Sequence, residues 1–180
     1  MFGLAGSWKR NDTRLRKLAE RLDLATKADE AVQAEFERLA RVRLGGAGEL
    51  HAVCARFTSE MSRFLKHSSI ALDPVEFQPD RFREGGPNLM QIHASGRIVQ
   101  LEFGVPSLPV STEEFREPYI LQGMVRSFNQ ELLNRNSVEE HQIFFCSRRH
   151  GYEWRFFDAR TYQSGPFDLE YLTSLLERLI

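Results

Sequence analysis

His141 and Asp158 are the pair best suited to chemistry in this chain. Residues 141–147 (HQIFFCS) and 152–159 (YEWRFFDA) are rich in aromatic and β-favouring side chains. A tight turn at Arg149-His150 between them places His141 opposite Asp158. A carboxylate beside an imidazole fixes its tautomer and prepares it as a general base. Ser127, Ser147 and Cys146 lie in neighbouring stretches as nucleophile candidates, but none sits in a G-x-S-x-G elbow. A cross-strand ion pair explains the same two residues without a reaction, and that simpler reading leads.

Three other groupings have the right residue types. His51 and Cys54 stand three apart in a helical stretch, a spacing a metal ion can use. No second Cys/His pair completes a ligand set, and Cys54 adjoins an apolar stripe, so a core thiol is expected and no metal or cofactor. Glu113, Glu114 and Glu117 flank Phe115-Arg116 but match no calcium loop, and read as a solvated acidic turn. Lys9, Arg10, Arg14, Arg16, Lys17 and Arg21 form the main basic cluster. Contact of residues 1–21 with anionic lipid or a nucleic-acid backbone is one use for it, and a solvated helix face is the commoner one. Gly45-Gly46-Ala47-Gly48 and Gly85-Gly86-Pro87 lack the Lys-Ser/Thr of a phosphate-binding loop. No nucleic-acid signature emerges.

The elements that would position these groups follow from periodicity. Residues 1–11 are aperiodic and read as a flexible arm. A helix is expected from Asp12 or Thr13, capped there and stopped by Gly45-Gly46. Leu15, Leu18, Leu22, Ala25, Asp29, Val32, Phe36 and Leu39 follow alternating steps of three and four, a heptad-like seam broken at Asp29. Such a helix would be about 48 Å long, more than a small domain needs, and argues for a helical partner from this chain or another. A second helix to about Lys66, with Leu50, Val53, Phe57, Met61, Phe64 and Leu65 on its apolar side, would complete a helical hairpin over residues 12–66. An unbroken, coiled-coil-like helix is the competing reading, and Gly45, Gly46 and Gly48 count against it.

Residues 67–180 read as an antiparallel sheet with a C-terminal helix. The proline-bearing connector 67–87 holds a possible short edge strand at Val75-Glu76-Phe77. A hairpin over 88–103 turns at Ser95-Gly96, pairing Met90 with Leu101 and Ile92 with Val99 on one face, and Gln91 with Gln100 and His93 with Ile98 on the other. After the long loop 104–118 comes a strand over 119–130 with Gly123 as a bulge candidate, residues 124–133 being also compatible with helix. The 141–159 hairpin is apolar on both faces and belongs in the middle of the core. Ser164-Gly165-Pro166 then introduces a helix capped by Asp168, with Leu169, Leu172, Leu176 and Leu179 buried and Leu175 and Ile180 beside them.

Composition narrows the class. Hydrophobic residues make up 42% and charged residues 27% of 180, ordinary for a soluble domain. Residues 1–66 balance at +4 and residues 67–180 at −5, a mild complementarity between halves. The 20 arginines and 4 lysines are dispersed among acids rather than gathered into a phosphate site. Cys54 and Cys146 lie in apolar stretches and read as reduced, buried thiols. No run approaches a membrane span, the apolar N-terminal residues precede the basic ones, the reverse of a secretory signal, and a cytoplasmic location is expected.

The expected fold is α+β: an N-terminal helical hairpin, a four- to five-stranded antiparallel meander and a C-terminal helix packed on the sheet. The leading functional expectation is a non-catalytic interaction or adaptor module, homo-oligomeric or bound to another protein through Leu15, Leu18, Leu22, Val32, Phe36 and Leu39. A small-ligand-binding domain using Gln100, Glu102, Arg126 and Arg155 on a concave sheet face is the alternative. A hydrolase built on His141 and Asp158 ranks below both.

Overall fold

The computed structural model describes residues 5–106, 117–135 and 138–180, with side chains in the first helix described from Asp12 onward. The element order is α1 (Ala5–Ser62), β1 (Ile70–Asp73), a 3-10 turn (Pro79–Arg81), β2 (Asn88–Ala94), β3 (Arg97–Gly104), β4 (Tyr119–Asn129), α2 (Gln130–Asn134), β5 (Glu139–Arg148), β6 (Gly151–Asp158), β7 (Gln163–Pro166) and α3 (Leu169–Glu177). The fold is α+β, as expected, but the sheet has seven strands rather than four or five. It is a pure meander, each strand pairing antiparallel with the next in sequence.

Both added strands are four residues long and lie at the sheet's two edges. β1 ends at the cis Asp73-Pro74 peptide, so the edge strand precedes the proline rather than following it at Val75-Glu76-Phe77. β7 takes in Ser164-Gly165-Pro166, read from sequence as a loop. An edge strand tolerates Pro166 because one side of its backbone has no ladder to complete.

The expected helical hairpin is one helix. α1 runs through Gly45, Gly46 and Gly48 without a break, and its backbone is already helical at Ala5, so residues 5–11 are not an irregular arm. Residues 1–4 lie outside the described residues. The physical reason is tertiary. A Cβ at Gly46 would overlap the Phe145 ring, and the Gly46 carbonyl accepts a 2.7 Å hydrogen bond from Trp154 Nε1. The glycine allows helix and sheet to approach closely, at a modest cost in helix propensity. The chain divides into two compact units, Met1–Ala40 and Arg41–Ile180, and the division falls inside α1.

Within the second unit the alternation of β2 and β3 gives the predicted register, Met90 opposite Leu101 and Ile92 opposite Val99. Ser95 and Gly96 take φ of 47° and 83°, the positive values that a tight hairpin turn requires. Ile143 pairs with Phe156 and Phe145 with Trp154, as the pattern predicts. β4 extends to Asn129, where its side chain caps the short α2, so 124–133 is mostly strand. The register irregularity falls between Tyr119 and Leu121 rather than at Gly123.

One sheet face carries Met90, Ile92, Val99, Leu101, Leu121, Val125, Ile143, Phe145 and Trp154. They form a single buried cluster with Ala47, Leu50, Cys54 and Phe57 of α1 and Leu172, Leu175, Leu176 and Leu179 after β7. Leu169 is half-buried and Ile180 exposed. Asp168 caps α3 by accepting from the Tyr171 amide at 3.0 Å. Cys54 and Cys146 are buried and free, and burial pushes the Cys54 thiol up to about 12. The opposite face adds a smaller cluster of Tyr119, Phe144, Cys146 and Phe157.

Candidate functional site

Strand alternation puts His141 on the same side of β5 as Ile143 and Phe145, and the imidazole is buried. Asp158 at the end of β6 does reach it, with Oδ2 3.8 Å from Nε2. Two partners were not foreseen. The Tyr171 hydroxyl of α3 lies 2.9 Å from Nδ1, and Glu139 Oε1 lies 3.5 Å from Nε2. Glu139 was discoverable, since it stands two residues from His141 and so shares its face. Tyr171 sits in the buried stripe of α3, and only docking of that helix reveals its contact.

This cluster is a clasp between strands and helix. Phe156 stacks on Tyr171 with ring centroids 4.2 Å apart and planes at 10°. Glu139 binds Arg160 at 3.2 Å and also binds Arg178 of the C-terminal turn. Burial pushes the His141 pKa below the ordinary imidazole value and Arg178 and Arg160 add to this, against the pull of Glu139 and Asp158. Asp158 also pays for burial, yet its pKa is lowered, because the Arg160 amide and the Thr161 hydroxyl donate to it and the positive charge nearby favours the carboxylate. Burial raises the Tyr171 phenol. Burial and the nearby guanidiniums thus disfavour protonation of His141, while the groups around Asp158 favour its carboxylate form. Ser127, the nearest nucleophile candidate by register, pairs opposite Glu139 and is also buried. Both the imidazole and the hydroxyl are buried, and the arrangement ties β5 and β6 to α3.

The second sheet face holds the ligand-binding candidates. Gln100 stands opposite Arg126 in the ladder and accepts from Gln91 at 3.0 Å. Arg126 is clamped between Glu140 at 2.7 Å and Glu102 at 3.3 Å. Arg155 lies 3.6 Å from Glu117 and 3.2 Å from Glu153. Both guanidiniums are therefore neutralised locally. Arg126 and Glu102 border an open groove of about 730 Å³ with Phe103, Met124 and Phe144, and Arg155 is not part of it. His51 bonds the Pro74 carbonyl at 2.9 Å while Cys54 is buried in the core, so these two are packed structurally. Glu113 and Glu114 lie outside the described residues.

The remaining candidates form the seam on α1. Leu15, Leu18, Leu22, Val32 and Phe36 are between 51% and 71% exposed, and Leu39 is half-buried. Every described side chain from Asp12 to Arg38 is exposed, including Arg14, Arg16, Lys17 and Arg21. The polar side of the helix is stitched internally by Gln33–Glu37 at 2.9 Å and Glu35–Arg38 at 2.8 Å. Among the described residues no helix is long and apolar enough to cross a membrane. Comparison with protein families, with curated proteins and with solved structures finds no match.

Proposed function

We propose that this chain is a protein-interaction module whose contact surface is the apolar seam of α1, from Leu15 to Leu39. One observation carries the reading: large apolar side chains at heptad spacing stand exposed together along one helix. Scattered exposed leucines are ordinary, whereas an ordered stripe is the surface by which helices associate. Burying each such side chain fully contributes about 1.5–3 kcal/mol, enough for several together to offset the cost of association. The buried clasp around His141 favours a structural over a catalytic use of the compact unit.

Chemical cross-linking of the full chain in its host tests the reading, with the triple variant Leu22→Asp, Val32→Asp, Phe36→Asp as comparison. These positions are exposed, so the variant keeps its fold, which circular dichroism checks. Cross-linked species containing the chain are expected for the wild type and lost in the variant. An identical cross-linking pattern for both sinks the proposal.

A small-molecule role for the Arg126 groove is the second reading, favoured by its volume and by Phe103 and Phe144 among its lining residues. Its mark would be a small molecule retained by the purified wild type and lost in Arg126→Ala.

A further inference from the structure

Resting on that reading, we propose that the partner of the α1 seam is a second copy of this chain, paired antiparallel through residues 15–39. Three features of the seam choose both occupant and direction.

The first is spacing. Leu15, Leu22, Asp29 and Phe36 take one core position of the heptad, and Leu18, Ala25, Val32 and Leu39 take the other. The seam spans about 36 Å by helical rise. Antiparallel pairing centred on Lys27 sets Leu15 against Leu39 of the second copy, Leu18 against Phe36, Leu22 against Val32 and Ala25 against Asp29. All eight seam residues then find a layer, and the long side chains meet one another.

The second is Asp29. A parallel, in-register pair would press this carboxylate against its own copy inside the seam, where like charges repel and desolvation is costly. The antiparallel pair places it against Ala25, whose small side chain leaves the carboxylate room to reach water. The residue that interrupts the seam thus excludes one orientation.

The third is charge. Residues 14–21 hold Arg14, Arg16, Lys17 and Arg21 with one acid, Glu20, whereas residues 33–40 hold Glu35 and Glu37 with Arg38. Parallel pairing would set the basic stretch on itself. Antiparallel pairing sets it on the acidic stretch and brings Arg21 beside Glu35 of the second copy, both at positions flanking the core. Each pair occurs twice by symmetry. Glu35 also binds Arg38 of its own helix at 2.8 Å, an exposed contact that pairing with Arg21 would share or replace.

Sedimentation velocity on the full chain tests the proposal with a charge swap. The wild type should be dimeric. Arg21→Glu and Glu35→Arg should each weaken self-association about tenfold, since two exposed pairs become two repulsions. The double variant restores both contacts and should return close to the wild-type constant. A double variant no tighter than the singles overturns the antiparallel arrangement, and so does a dimer that neither single change weakens. Disulfide trapping reads direction separately, because Cys54 and Cys146 are buried. A mixture of Leu22→Cys and Val32→Cys chains should cross-link to each other, while a Leu18→Cys chain that links to its own copy shows parallel pairing and overturns the proposal. A wild type that stays monomeric to about 100 µM also overturns it. If seam-dependent cross-links to another protein persist in the host, the interaction reading survives that result; if they are absent too, both fall.

Discussion

α1 contains two apolar stripes built on nearly the same spacing, and they meet opposite fates. Ala47, Leu50, Cys54 and Phe57 are buried in the core cluster, whereas Leu15, Leu18, Leu22, Val32 and Phe36 remain exposed. Periodicity of three and four therefore identifies a face of a helix, and does not say what covers it. What separates the two stripes lies elsewhere in the chain: Phe145 and Trp154 present a surface shaped to Gly46 and its neighbours, and charged residues flank the bare stretch.

The sharpest way to break the comparison is to truncate one leucine in each stripe. Leu50→Ala should cost about 2–5 kcal/mol in urea denaturation because it opens a cavity in a closed core. Leu22→Ala should change the stability of the chain at dilute, monomeric concentration by no more than about 0.5 kcal/mol. Equal losses would mean that the two stripes are buried alike.

Two glycines one residue apart refine it further. A Cβ at Gly46 would overlap the Phe145 ring, while a Cβ at Gly45 would have no atom within 4 Å. Gly46→Ala should destabilise by about 1–3 kcal/mol through forced repacking. Gly45→Ala should stabilise by roughly 0.5–1 kcal/mol, since alanine restricts the unfolded chain and favours helix. Thermal denaturation of the two variants should move the midpoint in opposite directions. A shared direction would place the close approach elsewhere.

Acid separates the regions by a smaller effect. His141 is buried with its pKa depressed below the usual 6.5, so the unfolded chain binds a proton that the folded chain resists. Its contribution is complete above about pH 6.5 and is lost as pH falls toward the depressed value, at about 1 kcal/mol per unit. Asp158, also depressed, adds a loss in the same direction only at pH values below its usual 3.8. The wild-type denaturation midpoint should fall between pH 7 and 5, and His141→Gln should flatten that slope. An equal slope in the variant would assign the acid sensitivity to another group. The exposed part of α1 contains no buried titratable side chain from Asp12 to Arg38.

Much of the compact unit was legible in the sequence because alternation of period two is a strong signal when a strand has seven or more residues. It yielded the β2–β3 and β5–β6 registers and the meeting of His141 with Asp158. β1 and β7 escaped because four residues give only two side chains per face, and each adjoins a proline that reads as a breaker. The hairpin expectation failed for a different cause: glycine propensity is local, and the Gly46 contact joins residues about a hundred positions apart. The same limit concealed Tyr171. The seam was legible as spacing, whereas the exposure of its side chains is a property of the folded chain that spacing does not carry.

The two short edge strands carry a consequence for how molecules behave when crowded. An open sheet can recruit a strand from a neighbour and grow into a fibril, a process favoured by an unbroken segment of about six or seven residues. Here each edge strand is only four residues long, one running into Pro74 and the other ending on Pro166. Of the aromatic strands, β5 is paired with a neighbour on each side, and β6 is covered on its outer side by β7 from Arg155 to Asp158. Neither edge strand by itself supplies the six- or seven-residue segment that fibril growth favours, so the two rims resist recruitment so long as β1 and β7 stay docked.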